Sequence, residues 1–184
     1  MTIKKVIAGI LLVATFANAS YGQTHKDSVI AEIRRNFQRT NNDRSLRVIE
    51  LDEEEFLGEG TDNGGDLKGY FKGDTLCKMV LEVGLSYSMK RWEYYFDKGK
   101  VIFIYETDRY YPQDSVNGGL DNTRLELAFE GRYYYENGVL INTLFKGKKR
   151  LLDTSSNSTT AYINALPKKP EIDGYIKLLR KKMK

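Results

Sequence analysis

The sequence predicts an α+β fold: an N-terminal helix, a curved antiparallel sheet of about six or seven strands in meander order, and a C-terminal amphipathic helix. Three observations carry this. Apolar residues recur at helical spacing in Thr24–Asn41. Short runs rich in Tyr, Phe, Val and Ile then alternate with glycine-containing turns from Ser45 to Lys146. A second apolar stripe follows Pro167 and Pro170.

In the first segment Val29, Ile30, Ile33 and Phe37 fall at spacings that place them on one helix face. Thr24 with Asp27 three residues on resembles a capping box, and Asn41-Asn42-Asp43 ends the segment. Strands are expected near 46–51, 67–72, 75–83, 87–96, 101–107, 124–135 and 139–145, because β-prone runs bounded by turn residues are the signature of antiparallel pairing. The stretch YYFDKGKVIFIY from Tyr94 is echoed by YYYENGVLINTL from Tyr133. Asn137-Gly138 suits a two-residue hairpin turn, since both central positions need positive φ. Asp97-Lys98-Gly99 fits a related turn with glycine in the left-handed position, and Lys72-Gly73-Asp74 after Tyr70-Phe71 is a third copy of the device. Their uneven spacing argues for one meandering sheet over a stacked repeat array. Along Ser86–Asp97, Trp92, Tyr94 and Phe96 share the face expected to meet a helix, and Arg91, Glu93 and Tyr95 share the face expected to meet solvent. In Glu171–Lys184, Ile172, Tyr175, Ile176, Leu179 and Met183 form the final apolar stripe.

Residues 1–22 have a basic start (Lys4, Lys5), an apolar run of 11 residues from Val6 to Phe16, and Ala17-Asn18-Ala19. These are the zones of a cleaved secretory signal peptide, cut after Ala19 or after Gly22, and the run is too short to span a bilayer core of ~30 Å as a lasting helix. The expectation is a periplasmic or secreted chain, residues 23–184 forming a single α+β domain with a basic C-terminal helix at 171–184 and no transmembrane segment. The lone cysteine, Cys77, precludes an intrachain disulfide and stands far from where a lipid-anchor cysteine would be. It reads as an inert core cysteine. Charge is unevenly placed: residues 146–184 hold 11 basic and 3 acidic side chains, whereas residues 23–145 hold 16 basic and 22 acidic. An acidic body carries a basic tail.

These residues narrow the chemistry. The single histidine, His25, leaves Ser-His-Asp and Cys-His mechanisms without their usual base, and zinc without its usual ligand set. The acidic stretch from Asp52 through Glu55 to Asp66 fails calcium-loop spacing, because counting from Asp62 puts Gly64 third and Gly73 twelfth. It reads as a solvated rim around a flexible glycine-rich connection, and neither metal nor cofactor is expected. A glycan hydrolase needs only two carboxylates at a suitable separation, and with 25 acids that reading stays open. Aromatics beside arginine at a strand end can stack on a sugar or peptide, which makes Trp92, Tyr105, Arg109 and Tyr111 the ligand-contact candidates. The basic C-terminal helix could touch an anionic surface weakly; nucleic acid is not expected outside the cytoplasm.

The helix ending through Arg35-Asn36-Phe37 and Asn41-Asn42, followed by GGDLKGYFKGDTLCKM, EYYFDKGKVIFIYE and GRYYYENGVLI, resembles a family of uncharacterised exported bacterial proteins of the Bacteroidetes type, over about residues 28–145. Tyr94, Tyr95, Phe96, Gly99, Tyr133, Tyr134 and Gly138 match its pattern, whereas Asn142-Thr143 departs from the basic residue and tryptophan expected there. The resemblance implies export and the sheet, and brings no activity. The expected function is a non-enzymatic binding or interaction module of the envelope, with a protein, peptide or glycan as ligand. The alternatives are a carboxylate-dependent glycan hydrolase and a structural envelope protein on anionic surfaces.

Overall fold

The computed structural model describes the backbone of residues 3–114, 116, 118–149 and 159–184, and the side chains of those from residue 23 on, residues 159 and 161 excepted. Helix α1 (Ile3–Asn42) leads into seven strands: β1 (Arg47–Asp52), β2 (Gly65–Lys72), β3 (Thr75–Leu85), β4 (Ser88–Asp97), β5 (Lys100–Tyr110), β6 (Glu126–Glu136) and β7 (Val139–Gly147). A short helix α2 (Glu53–Leu57) follows β1, and α3 (Thr159–Asn164) and α4 (Lys169–Met183) close the chain. The strands pair antiparallel in sequence order, β1 through β7, in one open sheet. The α+β meander is therefore as expected. Thr24 lies inside α1 and does not open it.

The echoed motif turns out to encode a bulged hairpin, built three times. In β2–β3, Lys72 pairs with Thr75 and Phe71 with Leu76, after which Tyr70 pairs with Lys78, leaving Cys77 as the extra residue. The same step leaves Ile102 extra in β4–β5 and Ile141 extra in β6–β7. An inserted residue bends its strand and increases local twist, which curves a sheet of this width. Cys77 is accordingly half-buried at a bulge, its thiol 3.6 Å from the Thr75 carbonyl oxygen, and is not the core cysteine expected. The register needs it as a spacer.

Both long hairpins close with two residues at positive φ. These are Asn137 (51°) with Gly138 (83°) and Lys98 (49°) with Gly99 (75°), so the second turn has two left-handed residues where the sequence suggested one. Left-handed backbone costs an ordinary L-residue roughly 1–2 kcal/mol, and glycine far less. Lys98→Gly should therefore raise stability by up to about 1 kcal/mol, checked as a later urea midpoint with unchanged slope.

Both faces of the sheet are covered over their central part. On one face, Leu67, Phe71, Met79, Leu81, Trp92, Tyr94, Phe96 and Ile104 meet Phe56 of α2, Leu166 beyond α3, and Ile172 and Leu179 of α4. On the other face, Tyr95, Phe103 and Tyr134 meet Ile30 and Ile33 of α1, with Phe37 packed against them. The Phe37 and Tyr95 ring centroids are 4.9 Å apart. Tyr95, expected on a solvated face, is fully buried, because the apolar stripe of α1 needs a partner surface and takes this one. Beyond the helix that face is a half-buried lattice of charges, with Arg91 bridging Glu82 and Glu93 at 3.0 Å each.

The acidic stretch is also more ordered than a flexible rim. The Asp52 carboxylate accepts from the Glu55 amide at 3.0 Å, and the Glu55 carboxylate accepts from the Asp52 amide at 3.2 Å. That capping box starts α2, whose acidic first turn suits the positive helix end. Gly58 at φ 81° ends it. The expected polar loop at 153–160 lies outside the described residues except at its end, where α3 begins.

Candidate functional site

The four contact candidates do not converge. Trp92 lies on the α4 side of the sheet, 8% exposed, and its indole N–H donates to Glu106 at 2.9 Å. Tyr105 points to the opposite face. Arg109 is exposed on that same face but four residues further along β5, about 13 Å away at the strand rise. Tyr111 lies past the strand end, beside Pro112 and the Gly119-Leu120 turn. Strand alternation separates what residue type alone had grouped.

Trp92 instead belongs to a sealed polar node. Glu106 is fully buried, accepts from Trp92 and from the Tyr133 hydroxyl at 2.7 Å, and pairs closely with Lys149, itself 2% exposed. Glu106 faces Gly131 across the β5–β6 ladder. A Cβ at Gly131 would lie 2.9 Å from the Tyr133 ring, so the missing side chain makes room for the tyrosine that reaches the carboxylate. Burial pushes the Glu106 carboxyl up, against the opposing pull of Lys149 and Tyr133. Two residues along the same face, Asp108 is also fully buried, 3.6 Å from Lys90, with one carboxylate oxygen lacking a hydrogen-bond partner among the described residues. The sequence did carry a signal here: Ile104, Glu106, Asp108 and Tyr110 alternate on one face of an apolar strand, so two acids occupy core positions.

Glu106 and Asp108 are both fully buried, and neither lines the groove beside α1 or the one beside α4. A second node, on the α1 face, is structural in character. The Tyr95 hydroxyl donates to Glu93 at 2.6 Å and accepts from the Asn41 amide at 3.0 Å, while Lys78 reaches Glu93 at 2.7 Å and the Asn41 carbonyl oxygen at 2.9 Å. Asn41, in the last turn of α1, thereby ties the helix end to the sheet. Burial opposes ionisation of Glu93, but hydrogen bonds from Lys78 and Tyr95 hold its carboxyl below the usual range.

What opens to solvent is different chemistry. Between α1 and β5–β7 lies a groove of about 470 Å³. Phe103 and Tyr134 floor it, Phe37 and Tyr105 flank it, and Arg34 and Arg132 stand at its rim. The Arg132 guanidinium lies 5.8 Å from the Tyr105 ring centre and also pairs with Glu130. Arg34 is exposed and forms no ion pair among the described residues. Burial, with Glu130 adding to it, raises the Tyr105 phenol, so it stays a neutral donor and stacking surface at ordinary pH. Among the described residues no cluster of three or more His, Cys, Asp or Glu is arranged to hold a metal ion, and no helix is long and apolar enough to cross a membrane. No family model, curated protein or solved structure matches the chain, so the likeness of its hairpins to exported bacterial proteins rests on those motifs alone.

Proposed function

We propose that the chain is an exported, non-catalytic binding module that holds a small acidic ligand, the end of a peptide or an acidic sugar, in the groove between α1 and the sheet. The observation that carries this is the pairing of an aromatic floor and flank (Phe103, Tyr134, Tyr105) with two guanidinium groups (Arg34, Arg132) at the rim. Aromatic faces take the flat or apolar side of such a ligand, and arginine takes its carboxylate in a planar fork. Tyr105, one of the four contact candidates, keeps its assigned part; Trp92, held in the Glu106 node, does not. Export rests on the leader-like character of residues 1–22. The ionisable groups best placed for chemistry are sealed in the sheet, which supports binding over turnover.

Titration calorimetry with uronic-acid oligosaccharides and with short acidic peptides carrying an aromatic residue tests the reading. One of the two classes should bind, Arg34→Glu and Arg132→Ala should each weaken it at least tenfold, and Arg109→Ala should leave it unchanged. Failure of both classes to bind, or binding left undiminished by both groove variants, would sink it.

A further inference from the structure

On the other face of the sheet, a second groove of about 610 Å³ opens where the β4–β5 and β6–β7 hairpins meet the corner between α3 and α4. Its sheet wall is Phe96, Val101, Ile104 and Tyr135, and its helix wall includes Ile163, Leu166, Ile172 and Ile176. Phe96, Ile104, Leu166 and Ile172 are themselves buried. Among the described residues the bore therefore carries no charge, and its size lies within the range of roughly 300–1,000 Å³ typical of small-molecule sites.

The mouth is the opposite. Lys100, Lys168 and Lys169 stand there against one acid, Asp173. Asp173 is held by Lys169 at 2.5 Å, and the Lys168 ammonium caps the Asn164 carbonyl oxygen at 2.8 Å. Lys100 is exposed at the start of β5 and makes no ion pair among the described residues. After the internal pair is discounted, Lys100 and Lys168 remain among the lining residues beside an apolar slot, with the Glu171 carboxylate held on the Lys168 amide at 2.6 Å. The bulge that makes Ile102 the extra residue leaves Val101 and Ile104 both on the groove wall. The same irregularity that curves the sheet thus helps open the slot beneath the helix corner.

We infer that this groove binds a free single-chain amphipath with an anionic head, a long-chain carboxylate, its chain in the bore and its head at Lys100 and Lys168. Charge complementarity at the mouth selects the head. The uncharged bore selects the chain, because burying methylenes away from water is favourable in proportion to the apolar area removed. The site is independent of the Tyr105–Arg132 groove, which lies across the sheet.

Dodecanoate is the probe and dodecyl maltoside, with the same chain and a neutral head, its control, both used on the full chain below their micelle concentrations. Calorimetry should give one dodecanoate site, bound at least tenfold tighter than the maltoside. Lys100→Glu/Lys168→Glu should remove that preference while retaining the maltoside. Ile176→Trp, which fills the bore from a half-buried position, should abolish both. Far-ultraviolet circular dichroism and a cooperative melt confirm that each variant is folded, and methyl chemical shifts of Ile163 and Ile172 in the unaltered chain should move on titration. The inference is overturned by no dodecanoate binding, by equal affinity for the two heads, or by binding unaffected by Ile176→Trp. Sedimentation with phosphatidylglycerol vesicles in the absence of dodecanoate binding would overturn it too, by assigning the lysines to a membrane surface.

Discussion

Replacing Glu106 with alanine should cost about 3–5 kcal/mol of stability, among the largest single effects expected in this chain. The carboxylate is fully buried and holds three donors: the Trp92 indole N–H at 2.9 Å, the Tyr133 hydroxyl at 2.7 Å, and Lys149. Truncation leaves Lys149 as an uncompensated cation in a site where it is 2% exposed. It also leaves two dipoles without an acceptor, and each such orphan carries its own desolvation penalty. The pair as a whole is a different matter, since its attraction is offset by the cost of taking both charges from water. Glu106→Gln/Lys149→Met should therefore come within about 1–2 kcal/mol of the original chain, because the glutamine carbonyl oxygen still accepts from Trp92, its amide N–H can donate to the Tyr133 hydroxyl oxygen, and methionine keeps much of the lysine's length. The pH dependence has a definite sign. Burial raises the folded carboxyl above its unfolded value, so between those two values the native state keeps a proton that the unfolded chain releases. The contribution of Glu106 consequently declines as pH rises through that window, and the slope should vanish in the double variant. Urea melts across that range measure all three quantities. A cost below 1 kcal/mol for Glu106→Ala would mean that the node is hydrated and not sealed.

Why the node escaped a reading by residue type is instructive. Turns were legible because their demand is local: positive φ at two adjacent positions points directly to Asn137-Gly138. Strands were legible for the same reason, period-two alternation being a property of neighbours. Which strand residue becomes the bulge is not local. Cys77, Ile102 and Ile141 look like their neighbours in sequence, and they become spacers only because the partner strand advances one residue while theirs advances two. Helix α2 was hidden because Asp52–Glu55 reads equally well as a charge run or as a capping box, and only the return of the Glu55 carboxylate to the Asp52 amide decides. The contact candidates scattered because aromatic and arginine side chains near one strand end were pooled without regard to facing. Alternation puts Glu106, Trp92's hydrogen-bond partner, and Tyr105 on opposite sides of β5. In the α1 groove, Arg34 and Arg132 come from segments about a hundred residues apart. Only the docked helix brings them together, and no motif spacing could reveal that.

Loss of α4 is the other large effect expected, because its apolar stripe is core while its basic residues are surface. Leu179 is fully buried, and Ile172 is 8% exposed. The fit depends on one glycine: a Cβ at Gly69 of β2 would lie 2.9 Å from a Leu179 methyl and 2.7 Å from the Phe71 ring, so the helix seats where the sheet has no side chain. Lys182 adds a contact to Glu55 of α2 at 2.6 Å, and Arg47 of β1 donates to the Met183 carbonyl oxygen at 3.3 Å. Deleting residues 171–184 would open Leu67, Phe71 and Gly69 to water and should abolish cooperative unfolding. Leu179→Ala should cost about 2–5 kcal/mol, the usual span for emptying a buried leucine site. Gly69→Ala should cost about 1–3 kcal/mol by overpacking. The two changes touch the same space, so the alanine methyl at 69 partly fills the gap left at 179, and the double variant should be more stable than the two separate losses imply. By contrast, reversing the exposed charges at Lys177, Arg180 and Lys181 should leave the melting midpoint nearly unchanged, which separates the tail's part in folding from any contact with an anionic surface. A truncated chain that kept a cooperative melt would refute the core role of α4, and strict additivity at 69 and 179 would refute the shared contact.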